Sequence, residues 1–564
     1  MMRRRERLYL SPLKIVVLKS AAIKHDIQSN FRLYSLFNQE LISMAEWSMG
    51  YQTDLQYTFG YFRMNNPLYA RYLFTSQGLA FPRMGGGGTF NACELGFGQG
   101  VSITMHAAAS DANWYGNDFN PTQVSHARNF AQNANTSVML SDDSFEQFAQ
   151  RDDLPEFDFI CMHGIWSWIS PENQQYVVDF VSRHLKVGGV FYLSYNVGPG
   201  FIVFEPVRHI ISELNKHVLG TSMSPEQKLN SFKDVLNKLI EAKPSYAAVF
   251  PGLAKRIEQT LEHDFHYLSG EYLNSYWDVT HHSVVAEKLQ SAKLNFAISA
   301  HGTDLMDSLN LTTEQQQYLA QFRGTPMYET LRDFIVNRQF RADFFAKGVC
   351  HMTAAEQKRE YNSLAVVLVK AMEDFEYSID SRLGKAELRK DVYEPVLKVL
   401  SDHKPHTIAQ IKEKVSDATK GEVKDEHVSE AVNALVFSGN CEPAITDEQT
   451  IKRNVDKCHA MNISIINDFN DTPLAFLASP VTQGAMSVGK VTLMVLQIYL
   501  KHNRPENREV MENDVMEILT SGKNTLNNEG KPVTDPDEQR KIIKNLIKDF
   551  YTKQLPLISG LQLI

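Results

Sequence analysis

Thr89-Phe90-Asn91-Ala92-Cys93-Glu94-Leu95-Gly96-Phe97-Gly98-Gln99-Gly100 decides how this chain is read. The first half is a short apolar run ending in an acid, the pattern of a buried strand. The second half alternates glycines, which tolerate backbone angles that a Cβ forbids and let a ligand approach the main chain closely. Val101–Ala109 follows as a helix, so free N–H groups at its start face the same ligand. Strand, glycine turn and helix together make a cofactor loop.

Working outward, strand and helix continue to alternate. Strands are expected at Asn113–Asp118, Val138–Leu140, Phe157–Met162 and Val190–Ser194, with helices at Pro121–Gln132 and from Pro171 to about Leu185. Such alternation predicts right-handed crossovers and a parallel sheet, with ligands beyond the carboxyl ends of the strands. From about Ser224 to Leu261 the chain reads as helical, an insertion where a substrate lid would belong. Tyr267–Leu273 and Leu294–Ser299 are expected as the last two strands, and Thr312 to about Glu376 as helical. Asp391–Leu400, Thr407–Val415 and Glu426–Ser438, followed by a turn at Gly439–Pro443, have the pattern of a winged helix. Its third helix lacks the Lys and Arg needed for phosphate contacts. Beyond residue 446 come helical runs at Val488–Leu500 and Ile542–Tyr551 and a polar loop at Gly522–Pro536.

The glycine loop discriminates between cofactors. The dinucleotide fingerprint wants Gly or Ala where Val101 stands, and no GK[ST] follows to make a Walker loop. Glu94-Leu95-Gly96-Phe97-Gly98-Gln99-Gly100, an acid and then GxGxG, fits S-adenosyl-L-methionine instead. Asp118, with Phe119 beside it, ends the second strand; its carboxylate can accept both hydroxyls of a ribose. Asp142, Asp143, Ser144 and Phe145 follow the third strand, where a carboxylate takes an adenine amino group and an aromatic ring stacks on it. A helix cap is the plainer role for Asp118 and for one of Asp142 and Asp143. His163 and Trp166 follow the fourth strand, next to the expected methyl group, and Ser194-Tyr195-Asn196 ends the fifth. His163 or Tyr195 could receive a proton, and Trp166 could wall the pocket or face the sulfonium; an ordinary structural hydrogen bond is the alternative for His163. Tyr61, in the aromatic run Tyr51–Asn66, is expected as a flap over the cofactor, unless that run and the helix Leu68–Gln77 simply pack on the sheet. No Asp/Asn-Pro-Pro-Tyr/Phe follows the fourth strand, which argues against nucleobase amino methylation.

The whole chain sets bounds on these readings. Its 564 residues are too many for one core, so three or four domains are expected. A net charge of −9 gives no reason to expect nucleic acid as a partner. No apolar run approaches the roughly 18 residues needed to span a bilayer. The five cysteines (Cys93, Cys161, Cys350, Cys441, Cys458) form no CxxC, so no disulfide framework or metal site is expected and a reducing cytoplasm suits them. The first 43 residues carry eight basic side chains against three acidic, a net of +5, and read as a basic extension without a cleavage signal; Met44 is an alternative start.

These residues resemble bacterial class I methyltransferases that use S-adenosyl-L-methionine and carry a methyltransferase regulatory domain. The resemblance rests on Tyr57–Phe62, Asn66-Pro67, Cys93–Gly100, Asp118–Pro121, Asp142–Phe145, His163–Ser170, Leu193–Asn196 and Tyr267–Asn274, the last in the regulatory region. It runs from about Trp47 to the C-terminus and includes Gly530–Pro536. It implies a Rossmann-like α/β sheet with a helical insertion, followed by helical, winged-helix-like and C-terminal domains. More distantly, the chain is similar to rickettsial protein-lysine methyltransferases acting on outer-membrane protein. It departs from the family at Asn196–Gly200, and Phe201 stands where the family has Trp.

The expected layout is a basic extension over 1–43 and a methyltransferase domain over 44–305, with a helical or regulatory insertion at about 220–265. A helical connector follows over 306–385, then a winged-helix-like domain over 386–445 and a C-terminal domain over 446–564. The expected activity is methyl transfer from S-adenosyl-L-methionine to a protein side chain, lysine first. Gly96, Gly98 and Gly100 would hold the methionine part, with Glu94 and Phe97 in the same loop. A small-molecule or glycan O- or N-methyltransferase is one rival, and a cofactor-binding scaffold without turnover is another. A homodimer is compatible with each.

Overall fold

The computed structural model describes residues 59–564 apart from 85–87, 221, 264, 506–507, 521–526, 529–530 and 534. The basic extension, Tyr51, Tyr57 and most of the polar loop therefore lie outside the described residues. At the centre is a seven-stranded sheet with spatial order β3-β2-β1-β4-β5-β7-β6. Its strands are β1 (Asn91–Leu95), β2 (Asn113–Asn117), β3 (Met139–Ser141), β4 (Phe157–Met162), β5 (Leu185–Asn196), β6 (Asn295–Ser299) and β7 (Phe340–Ala346). The first five are parallel, and β7 runs antiparallel between β5 and β6. Five helices set its frame: α1 (Pro67–Ser76), α2 (Val101–Ala109), α3 (Pro121–Asn133), α4 (Phe145–Ala149) and α5 (Pro171–His184). Pro stands at the first position of α1, α3 and α5, and Asn66, Asn120 and Ser170 cap them, as the missing N–H and fixed φ of proline favour.

The two faces of the sheet have different covers. Ala92, Phe159, Tyr192 and Phe344 pack against α1 and against the helices Lys390–Leu400 and Asp425–Phe437. On the other face, Cys93, Ile160, Leu193 and Phe345 pack against α5 and the helix His282–Gln290. Side chains one residue apart along a strand point to opposite faces, so Tyr192 and Ser194 share the first face and Tyr195 takes the second.

Two expectations are corrected here. Tyr267–Leu273 is not a strand: Phe265–Tyr272 is the last helix of an insert that begins at Glu205. Phe265, Leu268 and Tyr272 lie on one helical face and join Phe232, Ile257 and Ile211 in a separate small core. The seventh strand lies instead at Phe340–Ala346, inside the stretch expected to be helical. Its charges explain the misreading. Arg341 and Asp343 face inward beside Tyr195 and Leu193. Arg341 donates to Asp343 (2.7 Å), Asp333 (2.8 Å) and Glu329 (2.8 Å), and Arg338 grips Asp304 with two bonds (2.8 and 2.9 Å). A buried arginine is tolerated only when its donors are answered in this way.

The same stretch holds another strand, β8 (Ala365–Leu368). A hairpin follows, β9 (Ser378–Ser381) with β10 (Gly384–Glu387). The short β11 (His406–Thr407) and β12 (Cys441–Ala444) then pair antiparallel on either side of β8. The helices Lys390–Leu400, Ile408–Ala418 and Asp425–Phe437 cover that small sheet. The C-terminal region is built on the helix Glu448–Asn467 and a hairpin of β13 (Phe476–Ser479) and β14 (Gly484–Ser487). Its core is continuous with Val101, Met105, Ala108 and Ala109 of α2, so it sits on the back of the helix that follows the glycine loop.

Candidate functional site

The carboxyl ends of β1, β2, β3, β4 and β5 converge on one rim. At β1, three glycines take left-handed angles, φ +67° at Gly96, +57° at Gly98 and +74° at Gly100. A Cβ on Gly96 would lie 2.9 Å from Ile165, and one on Gly100 would collide with Ala127 of α3. Around Gly98 no atom lies within 4 Å of that position, so the loop turns its bare backbone outward there. The Gly98 N–H donates to Asp118 (2.9 Å), whose other oxygen accepts from the Asn120 N–H (3.0 Å). The amide of Gln123, turned to donate, reaches both oxygens of the same carboxylate at 2.8 and 3.0 Å. Burial outweighs the two backbone bonds and pushes Asp118 up to about 7.

Glu94 closes β1. Its Oε1 accepts from Asn65 Nδ2 (2.9 Å), and burial pushes it up to about 8. Glu94 Oε2, Asn65 Oδ1, Asn117 Oδ1 and Gln99 Nε2 are buried with no hydrogen-bond partner among the described residues. Buried polar atoms are normally paired, so three acceptors and a donor around one glycine loop are what a ligand with an ammonium and hydroxyl groups would require. The residues therefore fit the methionine and ribose parts of S-adenosyl-L-methionine.

At β3, the helix cap is Ser144, which makes a reciprocal capping box with Gln147, and neither aspartate serves that role. Asp143 pairs with Arg151 (3.0 Å), and its carbonyl accepts from Asn117 Nδ2 (3.0 Å). Asp142 is exposed, while Phe145 and Phe119 are half-buried. Phe97 is buried in the core beneath the loop.

At β4, His163 stacks on Phe62 with ring centroids 3.8 Å apart. Its Nδ1 and the Tyr192 hydroxyl share a bond of 2.7 Å. That hydroxyl also lies 3.4 Å from Met64 Sδ, a weaker acceptor. Ser194 Oγ fixes the turn by accepting the Gly164 N–H (2.8 Å). Burial, with a smaller contribution from the neighbouring His301, pushes His163 down to about 3. The ring is neutral across the physiological range.

Three expected residues lie elsewhere. Tyr195 is on the opposite face of β5; its hydroxyl donates to Asp343 (2.6 Å) and meets His282 (3.1 Å), so it is no proton acceptor for the His163 side. Trp166 is 2% exposed in that same second core, under Lys288. Tyr61 packs between His106 (5.3 Å) and Phe476 (5.9 Å) of the C-terminal hairpin. In their place the structure brings Phe62, Asn65, Tyr192 and Ser194 to the rim. Tyr192 and Ser194 were legible as alternate residues of a strand ending there. Phe62 and Asn65 carried no local signal beyond membership of an aromatic run.

Residues 92–189 match a family model described as a methyltransferase domain, and residues 264–347 one described as a predicted methyltransferase regulatory domain. The uncharacterized protein sll1526 of Synechocystis sp. is 32% identical over 519 residues, which cover 91% of this chain and 99% of that one. The uncharacterized protein RP789 of Rickettsia prowazekii is 24% identical over 51% of this chain and 50% of its own. Among solved structures, PKMT2 from Rickettsia typhi in complex with AdoHcy aligns with a TM-score of 0.66 at 18% identity, covering 90% of this chain and 99% of that one. At that identity the likeness shows a shared Rossmann-like methyltransferase fold.

Proposed function

We propose that this chain, which belongs to the same family as the Synechocystis protein sll1526 and is an S-adenosyl-L-methionine-dependent methyltransferase, methylates a lysine side chain of a protein acceptor. The observation that carries the reading is the neutral, ring-stacked His163 at the strand end next to the open glycine loop. The likeness to PKMT2 supports it.

When bound, the cofactor supplies an electrophilic methyl group on a sulfonium. Glu94 and Asn65 would take its ammonium on their free oxygens. Asp118 would take the ribose hydroxyls in place of the Gln123 amide, and Asp143 with Phe145 would flank the adenine. The acceptor must arrive as a neutral amine. The rings of Phe62, Tyr192 and Phe340 pack around His163, and an ammonium brought against them would be disfavoured by desolvation, so the lysine would give its proton to water on entry. His163 is too weak a base to store that proton. In the tautomer protonated at Nδ1, its Nε2 would accept one amine N–H and so orient the nitrogen lone pair for transfer. The bound cofactor would supply the methyl group and keep the C–S electron pair on its sulfur, and the methylated nitrogen would release its second proton to water. Alignment of this kind is the larger part of such catalysis.

The test is tritiated methyl transfer from S-adenosyl-L-methionine into a cell lysate, followed by hydrolysis and identification of the labelled amino acid. Labelled methyl-lysine in protein is expected. Label in small molecules or glycans alone would overturn the acceptor assignment, and binding without any transfer would favour the scaffold.

A further inference from the structure

Residues 61–66 lie across the cofactor rim, and their contacts divide into two sets. One set faces the rim. The Phe62 N–H donates to Ser102 Oγ (3.0 Å) at the start of α2 while its ring covers His163. Met64 receives the Tyr192 hydroxyl, and Asn65 holds Glu94. The other set faces the C-terminal half of the chain, hundreds of residues away in sequence. Arg63 pairs with Glu442 of β12 (3.0 Å) and donates to the Val436 carbonyl (3.1 Å). Asn66 Nδ2 donates to the Thr482 carbonyl (3.0 Å), and the Tyr61 hydroxyl bonds the backbone of Ala485. The same 482–485 turn takes His106 of α2 on the Gln483 carbonyl (3.1 Å).

We propose that residues 61–66 are a strap through which the β12 unit and the β13–β14 hairpin position Asn65 and Phe62, so that displacement of either C-terminal unit lowers the affinity for the cofactor. The inference rests on Glu94 belonging to the cofactor site. Its physical basis is rigidity over a short span. Six residues anchored at Tyr61, Arg63 and Asn66 leave Phe62, Met64 and Asn65 no independent freedom, so a shift at an outer anchor is carried to the rim. The strap thereby gives the C-terminal half a route to the chemistry without any of its own residues entering the site.

Gly484 offers a probe from the far side. It has ordinary negative φ, and a Cβ there would run into Tyr61 Oη and come within 2.7 Å of Asn66 Nδ2. Gly484→Ala therefore pushes the strap from the hairpin with one methyl group. Isothermal titration with S-adenosyl-L-methionine should show affinity about tenfold weaker, the scale of one hydrogen bond to a charged group. Unchanged binding in Gly484→Ala overturns the strap. Should Gly484→Ala fail to fold, Glu442→Gln tests the second anchor; weaker binding supports the strap and wild-type binding overturns it. Glu94→Gln separates the two assignments. Unchanged binding there removes Glu94 from the cofactor site, whereas unchanged binding in Gly484→Ala removes only the hold of the hairpin on it.

Discussion

Burial strips a carboxylate of its hydration and favours the protonated form, and two buried carboxyls flank the glycine loop. Glu94 rises to about 8 and Asp118 to about 7, both through burial. Each folded value lies above the unfolded one. Their contribution to stability is therefore complete below about pH 4 and is lost as pH rises towards about 8, where both must ionise in place. A cationic ligand needs the ionised forms, so binding expels protons. Affinity for S-adenosyl-L-methionine should rise between pH 6 and pH 9 while the melting temperature of the ligand-free protein falls, as calorimetry across that range will read. Flat affinity would mean that neither carboxyl meets the cofactor. His163 has the opposite sign. Depressed to about 3, it contributes no ionisation near pH 6.5, so the pH–rate profile should lack an arm there. His163→Ala should lower kcat by about a hundredfold, the scale set by misalignment of reacting groups. An unaltered kcat would reduce the ring to a packing element.

At the level of elements, β7 is the least predictable strand and among the most firmly held. It pairs with β5 along its whole length, and Arg341 answers three carboxylates from within the core. Arg341→Met keeps the bulk and strands Asp343, Asp333 and Glu329, and should cost about 3–5 kcal/mol in urea denaturation. A change within about 1 kcal/mol would show that those carboxylates find other partners. The parallel half of the sheet could be read from sequence because its strands alternate with helices, three of which begin at the capping residues Asn120, Ser144 and Ser170. In the antiparallel half, Leu294–Ser299 was legible as β6, and β7 was not. Phe340-Arg341-Ala342-Asp343-Phe344 hides a core strand behind charges that neutralise each other only in three dimensions. Tyr267–Leu273 shows the converse, with strand-favouring aromatics whose spacing from Phe265 to Leu268 and Tyr272 is helical. The glycine loop and the places of Glu94 and Asp118 at its rim were legible because they depend on position along β1 and β2. The rest of the rim was not, because Phe62 and Asn65 arrive from before the sheet, and the face on which Tyr195 lies depends on strand register.

On the scale of the whole molecule, the apolar cores do not respect the sequence divisions. One core joins the sheet to the helices Lys390–Leu400 and Asp425–Phe437, and another joins α2 and α3 to the C-terminal hairpin and the helix Glu448–Asn467. Unfolding of residues 59–564 should therefore be one cooperative calorimetric transition. A chain truncated after Ala444 would bare Val101, Met105, Ala108 and Ala109 of α2, and should bind a hydrophobic dye and lose the cofactor together. Two separate transitions, or a truncated chain that binds normally, would show the C-terminal region to be an independent appendage.

The placement of β7 also sets the timetable of biogenesis. A ribosome releases β5 long before it releases β7, and the whole insert from Glu205 to Tyr272 emerges between them. Throughout that interval the outer edge of β5, Val190–Asn196, has its amides and carbonyls unpaired beside a row of aromatic side chains. Such an edge is a template for intermolecular strand pairing, and closure over so long a loop is slow. The nascent chain is thus most vulnerable to aggregation in the span of translation between Asn196 and Phe340. Chaperone dependence should concentrate in that window, and pulse-labelled hydrogen exchange during refolding should find the β5–β7 amides among the last to be protected.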